Sequence, residues 1–198
     1  MAKMRGYKEI AEGSKQAMEG NIPFKESFEK RLNIIKPDAK LFAQLSELYA
    51  QHLTPQTKEV IKKLQSLGKK VMIITHQIKD PVIPVAKQLN IPEENIIGNE
   101  VTFDEQGTYK KLNNTILNEP NGKLKILQTL PQTTSAFVGD GATDLATQEL
   151  VDIFIGFGGV LVRPKVEAEA KFFIKERSLL PILDIILTDE EKERLQKQ

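Results

Sequence analysis

The chain has 198 residues, 28 lysines and arginines against 27 aspartates and glutamates, and a formal net charge of +1. That length and its 40 % apolar content fit one globular domain, or a core with a small inserted cap, and the balanced charge leaves no electrostatic footprint for nucleic acid or an anionic membrane. Cysteine is absent and His52 and His76 are the only histidines, which excludes disulfides, thiolate nucleophiles and Cys- or His-rich metal centres but leaves hard-cation chemistry on carboxylates.

Residues 1–53 read as a helical cap region. Apolar residues recur at three-to-four spacing over Ala11–Met18 and Phe28–Ile35, which predicts two helices. Asn21-Ile22-Pro23 separates them, with Pro23 set to open the second. Pro37-Asp38 opens a third helix, Ala39–Leu53. Residues 54–187 read as an α/β core. A helix is expected from Thr54 to Leu67, ended by Gly68. Lys70–Thr75 is a short β-branched run, expected as a buried parallel strand that ends at Thr75. A helix over 80–89, a strand at Asn95–Gly98, and two strands around a turn ending in Gly107 follow. Gly122–Leu130 reads as a helix and Thr134–Val138 as a strand. Thr143–Leu150 is expected as a helix, with strands at Asp152–Gly156 and Phe172–Ile174. Residues 188–198 read as a charged, capped C-terminal helix. No apolar run approaches the ~18 residues a membrane span needs, and Met1–Ile10 carries no secretory h-region, so a cytoplasmic protein is expected.

Strands alternating with helices imply right-handed βαβ units and a parallel sheet, with a site beyond the carboxyl ends of the strands. Gly139-Asp140-Gly141-Ala142-Thr143-Asp144 is the sharpest candidate. Two glycines bracket an aspartate at a strand end, and a second aspartate follows four residues on. Asp140 could ligate a hard cation and Asp144 could hold a metal-bound water. The bland alternative is a turn with Asp144 near the favourable end of a helix dipole. Thr75 could hold a phosphate oxygen, or simply cap a helix. Lys123 could aim at a phosphate or lie solvated on the surface. Arg31 could grip a substrate carboxylate bidentately, or sit on an amphipathic helix. His76 could meet a ligand or only hydrogen-bond. Met18 and Phe24 read as core residues, and His52 as a surface residue beside a helix end.

Taken in order, these pieces resemble the phosphoserine phosphatases of the haloacid dehalogenase (HAD) superfamily. The resemblance runs from about residue 5 to 176. It rests on Ala17-Met18-Glu19-Gly20-Asn21-Ile22-Pro23-Phe24, Glu29-Lys30-Arg31-Leu32, His52-Leu53-Thr54-Pro55, Leu89-Asn90-Ile91-Pro92, Gly122-Lys123, Gly139–Asp144 and Ile155-Gly156-Phe157-Gly158-Gly159. It implies a HAD-like Rossmannoid parallel sheet with a small helical cap, and Mg²⁺-dependent hydrolysis of a small phosphorylated metabolite, most simply phosphoserine. In that chemistry an aspartate attacks phosphorus and water then hydrolyses the aspartyl-phosphate. Thr75 matches the phosphate-binding hydroxyl position and Lys123 the lysine that stabilises the phosphate. Asp140 matches the metal ligand, and Asp144 the aspartate that supports the metal. Gly141 and Thr143 fall in the substrate-facing loop. Arg31 matches the arginine for the substrate carboxylate, while Met18 and Phe24 match residues that close over the amino acid.

The sequence departs from the family in two places. The family's nucleophile lies in an Asp-x-Asp-x-Thr motif on the first core strand, upstream of the cap. Here no aspartate precedes Asp38, so the first core strand and the nucleophile are missing from the pattern. A shortened active enzyme, a pseudo-phosphatase that binds a phosphorylated metabolite, and a strand supplied by a partner each account for that. The sheet's neighbouring strands are then expected to carry unpaired groups, at roughly 1–3 kcal/mol for each one left buried. The chain should consequently rearrange, pair edges with another copy as a homodimer, or lose stability. The second departure is His76-Gln77, where the family has two glycines; the added bulk allows another substrate.

Overall fold

The protein is described here by a computed structural model covering residues 24–197. The helix expected over Ala11–Met18, the opening role of Pro23 and the side chain of Met18 lie outside the described residues. The chain divides into two units, Met1–His52 with Ile73–Thr129, and Leu53–Met72 with Leu130–Gln198.

The first unit opens with α1 (Phe24–Ile35) and α2 (Ala39–Gln51). Phe28, Leu32 and Ile35 fall on one stripe of α1 and are all buried, which is the burial a three-to-four apolar repeat produces. Lys36 in the left-handed region and buried Pro37 stop α1. Asp38 then caps α2, its carboxylate accepting the Leu41 N–H at 2.7 Å. Phe42 and Leu45 of α2 meet Phe28 and Leu32 in a core that also holds Ile78, Tyr109 and Leu112. Phe42 sets its ring edge against Phe103 at 5.7 Å, a favoured aromatic geometry.

The unit continues with β1 (Ile73–Ile78), α4 (Ile83–Gln88) and β2 (Ile96–Asn99), where α3 belongs to the other unit. β1 and β2 pair in parallel. A hairpin of β3 (Val101–Phe103) and β4 (Tyr109–Leu112) turns through Asp104 and Gly107, the latter with φ +75°. A single 3-10 turn, Ile116–Asn118, leads into α5 (Gly122–Thr129).

The second unit contains α3 (Thr57–Ser66), ended by Gly68 with φ +78°. Three parallel strands follow in the order β5 (Ala136–Gly139), β6 (Ile153–Phe157), β7 (Phe172–Ile174). Short helices α6 (Ala142–Leu145) and α7 (Pro164–Glu169) link them, and α8 (Pro181–Ile186) and α9 (Asp189–Gln196) follow β7. Ile155 of β6, with Ile174 and Ile182, forms the centre of one core cluster. Val60, Leu183 and Leu187 form another.

Parallel strands normally bury both faces. Here β1 pairs only with β2, and β5 only with β6, among the described strands. Ala136 and Val138 of β5 are exposed, Val138 at 38 %. No strand among the described residues precedes β1. The α/β class and the parallel strands are those the sequence implies.

Three expectations need correction. The strand placed at Lys70–Thr75 does not end at Thr75. It begins at Ile73, where pairing with Ile96 starts, and runs on to Ile78. The helix expected over Thr143–Leu150 is only four residues long. Thr147 Oγ1 donates to the Asp144 carbonyl at 2.6 Å, taking the acceptor that a continuing helix would use. The helices α7 and α8 were not expected at all. Each carries a proline in its first turn, Pro164 and Pro181, a start signal the sequence contains.

Candidate functional site

In the first unit Thr75 and His76 fall at an irregularity in β1. From Ile74 to Ile78 this strand advances four residues while β2 advances two, Ile97 to Asn99. Thr75, His76 and Gln77 therefore bulge out of the ladder. The Gln77 N–H donates to Thr75 Oγ1 at 3.1 Å, which occupies a lone pair and leaves the hydroxyl proton to donate elsewhere. Gly98 lies beneath the bulge. A Cβ there would come within 3.2 Å of the Gln77 carbonyl and of Lys79 Cα, so a larger residue would push the bulge away. The adjoining Asn99 is fully buried, and its Nδ2 donates to the His76 carbonyl at 2.7 Å. His76 is half-buried and Gln77 exposed.

Lys123 stands at the second position of α5 and is 9 % exposed. Lysine is seldom that deep unless partnered, which sets this residue apart from a solvated surface lysine. Arg31 lies on α1, half-buried. Its Nε donates to the Ser27 carbonyl at 3.0 Å, and its guanidinium covers the Phe28 ring at 5.2 Å. Burial lowers its pKa from the ordinary arginine value. Phe24 opens α1, and Met18 lies outside the described residues.

In the second unit, β5 delivers the chain into Gly139-Asp140-Gly141. Gly141 is buried, and its N–H donates to Asp144 Oδ2 at 3.0 Å. Asp144 is 6 % exposed. Its carboxylate is thus fixed by the turn it closes, with Leu145 N–H returning to the Gly141 carbonyl at 3.0 Å. Asp140 projects further, its side chain 46 % exposed. Arg163 reaches it with Nη2 at 3.3 Å and Nε at 3.4 Å, both on Oδ2. Thr143 is exposed on the same loop. The structure thus places Arg31, Thr75, His76 and Lys123 in one unit, and Asp140, Gly141, Thr143 and Asp144 in the other.

The donor set suits a hard divalent cation. Mg²⁺ prefers oxygen ligands and is commonly held by one or two carboxylates, completing its shell with water and substrate phosphate. Asp140 and Asp144 are carboxylates on a single six-residue loop, and Asp140 already draws a cationic partner in Arg163. No group of three potential ligands occurs among the described residues.

A family model described as haloacid dehalogenase-like hydrolase matches residues 3–151. A phosphoserine phosphatase from Bos taurus is 34 % identical, over 89 % of this chain and 81 % of its own length. The chain belongs to the haloacid dehalogenase-like hydrolases, in the phosphoserine phosphatase family. The Homo sapiens phosphoserine phosphatase is 33 % identical over the same shares. Among solved structures, a phosphoserine phosphohydrolase-like protein from Francisella tularensis superposes with a TM-score of 0.81 at 27 % identity, covering 91 % of this chain and 85 % of the other. Membership in this family accounts for the Gly139–Asp144 loop at a strand end, where the fold concentrates its chemistry.

Sequence reasoning missed Asn99 and Arg163. Arg163 immediately precedes Pro164 at the start of α7, but nothing in its local sequence points back to Asp140. The contact of Asn99 with the bulge shows only once the strands pair.

Proposed function

We propose that the protein acts on O-phospho-L-serine, releasing L-serine and phosphate, with Mg²⁺ as its cofactor. The observation that carries this reading is the Gly139–Asp144 loop, with two oriented carboxylates on a strand-to-helix turn, in a chain whose curated relatives of similar length are phosphoserine phosphatases. Asp140 and Asp144 would hold the cation. Bound Mg²⁺ supplies a Lewis acid that neutralises charge on phosphoryl oxygens. Thr75 donates its hydroxyl proton to a phosphate oxygen, and Lys123 places an ammonium against phosphate charge. Arg31 offers a planar donor fork to the substrate carboxylate. Thr143 and Gly141 line the loop that faces substrate, and His76 borders the phosphate; by the family resemblance Met18 and Phe24 match residues that cover the amino acid.

Hydrolysis by this route needs an aspartate nucleophile. A second reading is that the chain binds phosphoserine without hydrolysing it. Phosphate release from L-phosphoserine with and without Mg²⁺, using Asp140→Asn as control, separates the two. Mg²⁺-dependent release lost in the variant supports hydrolysis. Binding without release supports the second reading, and neither binding nor release overturns both. Profiling other phosphomonoesters tests whether His76-Gln77 redirects the site.

No helix among the described residues is long and apolar enough to cross a membrane, in keeping with a cytoplasmic location, which fractionation tests. The edge of β5, unpaired among the described strands, supports pairing with a second copy, which sedimentation velocity tests.

A further inference from the structure

We propose that the Asn99–Thr115 hydrogen bond is a half-buried strut that couples the Thr75–Gln77 bulge to the turn that seats Lys123, so that the two phosphate-facing residues are positioned as one body. The inference rests on the reading that Thr75 and Lys123 face phosphate, and it adds the residues that hold them in register.

The strut starts at the bulge. Two extra residues in β1 leave the His76 carbonyl outside the parallel ladder, and an unpaired carbonyl there is costly if buried. Asn99 Nδ2 supplies the donor at 2.7 Å. The side chain is fully buried, so its amide must be satisfied at both ends. The other end is met by Thr115, whose Oγ1 donates to Asn99 Oδ1 at 3.0 Å. The Asn99 backbone carbonyl also accepts the Lys79 N–H at 2.7 Å, so this one residue brackets the bulge from within and from just beyond it.

Thr115 opens the 3-10 turn Ile116–Asn118, its carbonyl accepting the Asn118 N–H at 3.0 Å. A second turn follows, with Gly122 N–H on the Glu119 carbonyl at 3.1 Å. Gly122 lies so close to the first turn that a Cβ would stand 2.5 Å from the Ile116 carbonyl oxygen and 2.6 Å from that of Leu117. Leu117 is 1 % exposed and cannot retreat into solvent. Any movement of Thr115 is therefore passed to Gly122 and on to Lys123. Asn99 and Thr115 are positioning residues, since they act through Thr75 and Lys123.

The test compares Thr115→Val, which removes the hydroxyl at nearly constant volume, with Thr115→Ser, which keeps it. Amide hydrogen exchange is followed at Gln77 and Gly122, whose N–H groups are bonded on the two sides of the strut. Titration with orthophosphate reads the site itself. In Thr115→Val, exchange should quicken at both amides and orthophosphate affinity should fall, each by about three- to tenfold, the range expected for losing one hydrogen bond. Thr115→Ser should stay within about twofold of the parent on both measures. Asp38→Ala, which removes the cap of α2 on the same unit, should lose stability without changing orthophosphate affinity. Faster exchange at Gly122 alone overturns the coupling, as does equal behaviour of the valine and serine variants. Coupled exchange in a chain that binds no orthophosphate keeps the strut and overturns the phosphate role of Thr75 and Lys123.

Discussion

Gly122→Ala measures how tightly the turn before α5 is packed. The added methyl carbon would sit 2.5, 2.6 and 2.7 Å from the Ile116 carbonyl oxygen, the Leu117 carbonyl oxygen and the Leu117 carbonyl carbon. All three are backbone atoms, so no side chain can swing aside. Ordinary van der Waals contact requires the turn to retreat by nearly 1 Å, against buried Leu117 and Asn118. Overpacking of this kind costs about 1–3 kcal/mol. Replacing glycine in a helix returns at most about 1 kcal/mol. For a clash in the middle of that range, about 2 kcal/mol, a net loss of about 1–2 kcal/mol remains, and at about 2–4 °C per kcal/mol for a chain of this size it lowers Tm by about 2–8 °C. Gly141→Ala is the comparison, because a Cβ there lies 3.4 Å from Asp144 Oδ2 with backbone φ −111°, in ordinary contact. Thermal melts of both variants, followed by circular dichroism, check the difference. A Gly122→Ala protein as stable as the parent, or more so, would refute the packing argument and with it the rigid link from Thr115 to Lys123.

Three further outcomes follow from single interactions. Asp38→Ala removes the acceptor of the Leu41 N–H and should cost about 0.5–2 kcal/mol in urea unfolding. Glu191 is held below the ordinary carboxylate range, first by its hydrogen bond from Lys69 and then by the Thr188 N–H. Its charge therefore stabilises the fold above the ordinary glutamate pKa of about 4.3, and that contribution is lost as pH falls through the lower folded value. Glu191→Gln should melt below the parent at pH 7, and the gap should close in acid. Asp80 behaves oppositely, since burial and then the charges of Glu100 and Glu93 raise its pKa. Ionised Asp80 weakens the fold at neutral pH, so Asp80→Asn should raise Tm at pH 7, with the gain shrinking as pH falls.

The Gly139–Asp144 loop was legible in the sequence because its signals are local. An apolar strand, two glycines and an aspartate four residues on specify β5, the turn and Asp144 without reference to the rest of the chain. The apolar stripe of α1 and the cap of α2 were legible for the same reason. The bulge at Thr75 was not, because it exists only in the register between β1 and β2. Its support was equally hidden, since Asn99 and Thr115 are sixteen residues apart and neither belongs to a recognisable motif. Helices α7 and α8 are too short for periodicity to declare them, although their opening prolines were available. Arg163 was missed because its partner, Asp140, lies twenty-three residues away.

The central claim is that the chain binds phosphoserine with Mg²⁺, and it is tested most directly by calorimetric titration of L-phosphoserine into the 198-residue chain with and without Mg²⁺. The account predicts Mg²⁺-dependent binding that Thr75→Val weakens and Asp140→Asn abolishes. Absence of binding, or binding that neither substitution changes, would contradict it.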